Sequence, residues 1–374
     1  MPYYTQCVDD ANNLPTILGS PNFFGIGLLD SDPYLPYAVS WSQNQNNFWR
    51  HVRKFVLDMT QMPTSGGYHG VHWQVAQGTL LQNIVINMAE NVPNNTQIVC
   101  VIKNKRLRST KHDNRASLWT MVLEACLIFN GGGIGLFTGN QQWTARNLTF
   151  NNCGTAIFQN WNWVFNYKSI TINDCDIGID MTQGANVPAT VSIVLLDSVM
   201  NNVATAGILT SFNTRSTPVS AAALVLDTVD FVNTPVGIMS SINQTVLLEG
   251  NSLGNSYVQG RAYSAFESQQ QVGNLTCYEP AATGARVQTT AIPPPKPASL
   301  LTPTGTIYER SKPQYEGVPV ESFVSILDYG CIGDGVTDTT QCVRTISIPS
   351  LPIRSPLSTT ERTSSRTPSI FLCR

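Results

Sequence analysis

The sequence predicts an all-β protein, a right-handed parallel β-helix whose short strands coil around one apolar lumen. Three observations carry this expectation. Charge is scarce, a strand motif ending in Asn or Asp recurs along the chain, and a small residue sits at a fixed place in the strand that follows each later motif.

Composition comes first. Only 12% of the 374 residues are charged, against roughly 25% in an average soluble domain, and polar uncharged residues with Gly take their place. The repeat is more specific. Phe55-Val-Leu-Asp-Met, Ile84-Val-Ile-Asn-Met, Leu127-Ile-Phe-Asn-Gly, Leu148-Thr-Phe-Asn-Asn and Ile170-Thr-Ile-Asn-Asp share an apolar or β-branched run closed by Asn or Asp. Asn130, Asn151 and Asn173 recur after 21 and 22 residues, the length of one coil, which stacks them into an asparagine ladder. Ile134-Gly-Leu-Phe, Thr155-Ala-Ile-Phe, Ile177-Gly-Ile-Asp, Ala206-Gly-Ile-Leu and Val236-Gly-Ile-Met supply the second strand. Gly135, Ala156, Gly178, Gly207 and Gly237 are small where a tight bend is expected. A β-sandwich has strands of similar length but gives no reason for this spacing.

The formal net charge of −2 supplies no global field for nucleic acid or an anionic membrane, and no apolar run is long enough to span a bilayer. Nine cysteines, without CxxC pairs, leave at least one thiol unpaired. The four histidines, His51, His69, His72 and His112, have no ligand spacing, so neither a metal nor another cofactor is expected. Sequons at Asn94, Asn147, Asn243 and Asn274 are compatible with secretion, while the opening Met-Pro-Tyr-Tyr-Thr-Gln lacks the features of a signal peptide.

Residues 1–50 read as the N-terminal part of a first β-helix domain whose start is missing, and 51–280 as its core. Lys103, Lys105, Arg106, Arg108, Lys111 and Arg115 interrupt that core with a basic segment within 100–120, read as a solvated loop rather than a nucleic-acid patch. A Pro-rich linker is expected at 281–320, the start of a second β-helix at 321–345, and a disordered tail at 346–374, where Ser, Thr, Pro and Arg dominate.

Asp328-Tyr-Gly-Cys-Ile-Gly-Asp-Gly-Val-Thr-Asp resembles the turn that opens a coil in the pectate-lyase-like superfamily. His72-Trp-Gln-Val-Ala-Gln, Gly139-Asn-Gln-Gln-Trp, Arg146-Asn-Leu-Thr-Phe-Asn-Asn-Cys and Trp161-Asn-Trp, in that order, resemble the fungal exo-β-1,3-glucanases of glycoside hydrolase family 55. The resemblance runs from about Tyr3 to Asp338. It implies an extracellular, inverting glycosidase with two tandem β-helices and glucan bound between them. The chain departs from the pattern by starting after the first such turn, by stopping soon after the second, and by its basic segment, in the manner of a truncated or misspliced gene.

An inverting glycosidase uses a carboxylic acid and a base about 6.5–9.5 Å apart. In the resembled family the general acid is a glutamate of the second β-helix, and no residue here matches it. An impaired hydrolase is therefore expected. Gln141 and Gln142 match the family motif that positions the attacking water; amides satisfying buried backbone are the plainer reading. Asp174, Asp176 and Asp180 read as turn-capping acids. Trp161, Trp163, Phe165 and Tyr167 alternate along one strand and would share a face, which either binds glucose rings or covers the coil. Trp73 is a similar case. The expected partner is β-1,3-glucan, bound by a monomer without nucleic acid or membrane. A pectin-acting lyase or polygalacturonase and a non-catalytic glucan-binding solenoid are the alternatives. Few Lys or Arg lie between Gly131 and Met239, which suits a neutral glucan better than polygalacturonate.

Overall fold

The computed structural model describes residues 5–35, 39–40, 47–76, 78–102, 121–184, 189–213, 221–262, 285–310, 323–332, 334, 336–342, 344 and 370–372. Of the basic loop expected within 100–120, residues 103–120 lie outside them. Two compact units are present, Met1–Lys312 and Pro313–Arg374.

The first unit is a right-handed parallel β-helix. One ladder of parallel strands runs through Gln6–Val8 and Thr16–Leu18, His51–Asp58, Leu80–Asn87, Met121–Asn130, the second halves of Ile134–Asn151 and Thr155–Asn173, Ser192–Asn201 and Ala223–Val232. A second ladder runs through Gly27–Asp30, His69–His72, Ile98–Ile102, the first halves of the two long strands, Ile177–Met181, Ala206–Thr210 and Val236–Ser240. Ile134–Asn151 and Thr155–Asn173 pass unbroken from one ladder into the other.

Alternation along each strand explains the lumen. In Leu148–Asn151, Leu148 and Phe150 are fully buried while Thr149 and Asn151 are half-buried outside. In-register stacking then makes columns, of which Leu57, Ile86, Phe129, Phe150, Ile172, Met200 and Phe231 form one. The Phe129 and Phe150 rings stack with centroids 4.6 Å apart and planes at 9°. Each such side chain removed from water contributes about 1.5–3 kcal/mol.

Two columns of left-handed residues make the corners. Asn152, Asp174, Asn202 and Asn233 have φ of 55°, 54°, 56° and 48°, and Asn83, Asn147, Ser169, Asp197 and Thr228 have φ of 52°, 54°, 55°, 45° and 58°. Left-handed backbone costs most L-residues roughly 1–2 kcal/mol, and Asn and Asp tolerate it best. The asparagine content of the chain follows from this need as well as from the ladder. Beside the first corner, Asn130 donates to Asn87 at 2.9 Å, Asn151 to Asn130 at 2.8 Å and Asn173 to Asn151 at 2.9 Å.

The expected reason for the small residues is corrected. Gly135, Gly178, Gly207 and Gly237 are absent from the left-handed set, and they line the lumen instead. A Cβ on Gly207 would lie 2.5 Å from the Phe231 ring and 2.9 Å from the Gly237 carbonyl. Smallness here makes room for the large column opposite.

Antiparallel strands close the coil: Val246–Glu249 on Val236–Ser240, Ser252–Ala262 on Ala223–Val232, and Ala285–Thr290 on Ser252–Ala262. Part of the segment expected as a Pro-rich linker docks on the second corner column. Lys296 donates to Asp227 at 2.9 Å, Ile307 N–H to Asp197 at 3.0 Å and Arg146 to the Arg310 carbonyl at 2.9 Å. In the second unit Cys331 and Cys342 form a disulfide. Within the stretch expected to be disordered, Ile370–Leu372 pairs in parallel with Phe323–Ser325. Short apolar runs of this kind carry too little periodicity to be read from sequence.

Candidate functional site

The two long strands bend between their ladder halves, and the bend builds an outward surface. Asn162 holds it. This side chain, 1% exposed, accepts from the N–H groups of Val191 and Ser192 at 2.8 and 3.1 Å and donates to the Ser192 carbonyl at 3.0 Å. A buried residue where alternation would place an outward one shifts the phase of everything around it. Trp163 and Val164 are consequently both exposed, at 46% and 39%. Phe165 and Tyr167 turn into the lumen and are fully buried.

The expected single aromatic face is therefore corrected. Trp161 lies half-buried over Gly139, where a Cβ would come within 2.5 Å of its ring. Only Trp163 of the four presents an open indole. Trp73, 1% exposed, is a core residue and unavailable to a sugar.

Gln141 and Gln142 fall on the same surface. Asn140 pairs with Asn162 and Gln142 with Val164, so Gln141 stands beside Trp163 on the neighbouring rung, about 4.8 Å away along the coil. Gln141 is half-buried and Gln142 exposed. Asp174 accepts from Asn202 at 2.6 Å and Asp180 from the Thr182 N–H at 2.9 Å, both in corner or turn geometry. Asp176 is exposed.

A second cluster escaped sequence reasoning. In the second ladder Asp30 pairs with His72, His72 with Cys100, and Cys100 with Phe137, which stacks on Phe158 with centroids 5.2 Å apart and planes at 2°. His72 Nδ1 lies 2.8 Å from Asp30 Oδ1, and the Tyr34 ring meets His72 edge-on at 5.5 Å. Tyr34 Oη accepts from Gln74 at 2.5 Å. A register shift between His69 and His72 brings the His69 ring to 5.4 Å from that of His72. Three residues apart, the two would otherwise point to opposite faces of a strand. The expectation that the histidines form no ligand constellation is corrected by this shift: one donor atom each from His69, His72 and Cys100 lie within 4.8 Å of one another. Burial, with the neighbouring His72 charge, holds His69 down at about 4, and burial pushes the Cys100 thiol up to about 12. The signal was hidden because Asp30, His72 and Cys100 are separated by 42 and 28 residues, not by the 21–22 of the regular coils.

Comparison with known proteins agrees with this architecture. Residues 1–180 match the family described as rhamnogalacturonase A/epimerase, pectate lyase-like. The chain is 34% identical to a protein of Arthroderma benhamiae named "Probable glucan endo-1,3-beta-glucosidase", over 92% of this chain and 46% of that one. It is 28% identical to the "Glucan 1,3-beta-glucosidase" of Cochliobolus carbonum, over 91% of this chain and 40% of the other, and 29% identical to the "Non-secreted LysM effector LysM19" of Penicillium expansum, over 92% and 25%. The chain spans less than half the length of each of these relatives. Coil, motifs and relatives together support a pectate-lyase-like β-helix protein similar to the fungal proteins of glycoside hydrolase family 55.

Proposed function

We propose that the chain is the glucan-binding wall of an extracellular β-1,3-glucan-directed glycoside hydrolase, with Trp163 as the sugar platform and Gln141 and Gln142 as the polar groups beside it. The observation that carries the reading is the placement of half-buried Gln141 next to exposed Trp163 on adjacent rungs, an amide-bearing residue beside a flat apolar face. A glucose ring offers an apolar face to the indole and hydroxyls to the amide. Asp174 and Asp180 are engaged in corner and turn hydrogen bonds, and on this reading the chain alone binds glucan more readily than it hydrolyses it.

A neutral ligand suits the electrostatics better than polygalacturonate. Lys168, a cation within the central rungs, lies 3.2 Å from Asp197 and 3.1 Å from Glu309 and is spent on that network. The experiment measures laminarin binding by calorimetry and glucose release on the same samples. Binding that weakens in Trp163→Ala, with polygalacturonate not bound, is the expected result. Laminarin binding unchanged by that substitution overturns the assignment, and hydrolysis by the chain alone places a sufficient catalytic pair within residues 1 to 374.

A further inference from the structure

We propose that His69, His72 and Cys100 form a binding site for a borderline-soft divalent transition-metal ion, with zinc as the reference ion and Asp30 as the positioning residue. The inference is independent of the glucan reading.

The donor atoms lie within 4.8 Å of one another. A tetrahedral zinc ion held at about 2.0–2.1 Å from nitrogen and 2.3 Å from sulfur needs donors about 3.3–3.6 Å apart, a contraction within reach of side-chain rotation. Two imidazoles and one thiolate suit zinc or copper and exclude the hard, oxygen-seeking magnesium and calcium. The surroundings have the form of a metal site. Asp30 holds Nδ1 of His72 at 2.8 Å, which leaves Nε2 as the donor and fixes the ring, the carboxylate–histidine arrangement that orients metal-bound imidazole. Nδ1 of His69 is buried without a hydrogen-bond partner, a cost that coordination to an ion through this nitrogen removes.

Cys100 is a free, buried thiol in register with His72. Binding breaks its S–H bond, forms the metal–sulfur bond and releases one proton to the solvent for each ion bound. Three protein ligands leave a fourth position on the ion for water or an external donor. The ion would join consecutive rungs of the second ladder, His69 and His72 from one and Cys100 from the next.

The test uses the full chain, stripped with a chelator and titrated with cobalt(II), whose tetrahedral thiolate complexes absorb visibly, and then with zinc(II) as competitor. One equivalent of cobalt is expected, with a sulfur-to-cobalt charge-transfer band that zinc abolishes. Cys100→Ser should lose that band while circular dichroism stays native, and Cys153→Ser should keep it. Asp30→Asn retains all three ligands and should weaken cobalt affinity about 10- to 100-fold. Folded wild-type protein that takes up no stoichiometric cobalt, a band that survives Cys100→Ser, or an Asp30→Asn affinity equal to wild type would each overturn the site.

Discussion

Asn151 stands between two identical neighbours, donating to Asn130 at 2.8 Å and accepting from Asn173 at 2.9 Å. Each amide in the ladder therefore serves as donor to one rung and acceptor for the next. Asn151→Ala removes two hydrogen bonds and strands one half-buried donor and one acceptor. A loss of about 1–3 kcal/mol is expected. Urea denaturation checks it, and a terminal member such as Asn87 should cost less.

Gly207→Ala tests the lumen explanation for the small residues. Its Cβ would lie 2.5 Å from Phe231, whose ring is fully buried and has nowhere to move. Overpacking of this kind costs typically 1–3 kcal/mol. A paired Phe231→Leu substitution should recover part of the loss, and the double mutant's melting temperature measures how much.

Lys168 holds the segment after the coil. Its partner Asp197 is 2% exposed in its side chain, so Lys168→Met leaves a buried carboxylate with the remaining hydrogen bond from Ile307. Breaking one side of such a pair costs about 3–5 kcal/mol when burial is complete, and somewhat less here. Limited proteolysis between residues 291 and 310 should accelerate, while the same substitution with Asp197→Asn should restore part of the protection.

Trp163→Ala and Phe165→Ala should part company although two residues separate them. Trp163 is 46% exposed, and its loss should weaken laminarin binding with little change in melting temperature. Phe165 is fully buried against Trp143, ring centroids 5.4 Å apart, and its truncation should destabilise by about 3–5 kcal/mol. Calorimetric binding beside thermal melts separates the two effects.

What the sequence alone determined is whatever repeats. The 21- and 22-residue spacing of Asn130, Asn151 and Asn173 is itself the coil, because each rung meets only its neighbours and must present the same side chain at the same height. What the tertiary structure decided lies where the repeat slips. Asn162 turns inward and leaves Trp163 and Val164 both exposed, an interruption that strand alternation cannot announce. Asp30, His72 and Cys100 meet only because coils of unequal length return to the same column, and His69 joins them only through a register shift. A strand pattern records which residues face in; which of them become neighbours depends on how much chain each turn of the coil consumes.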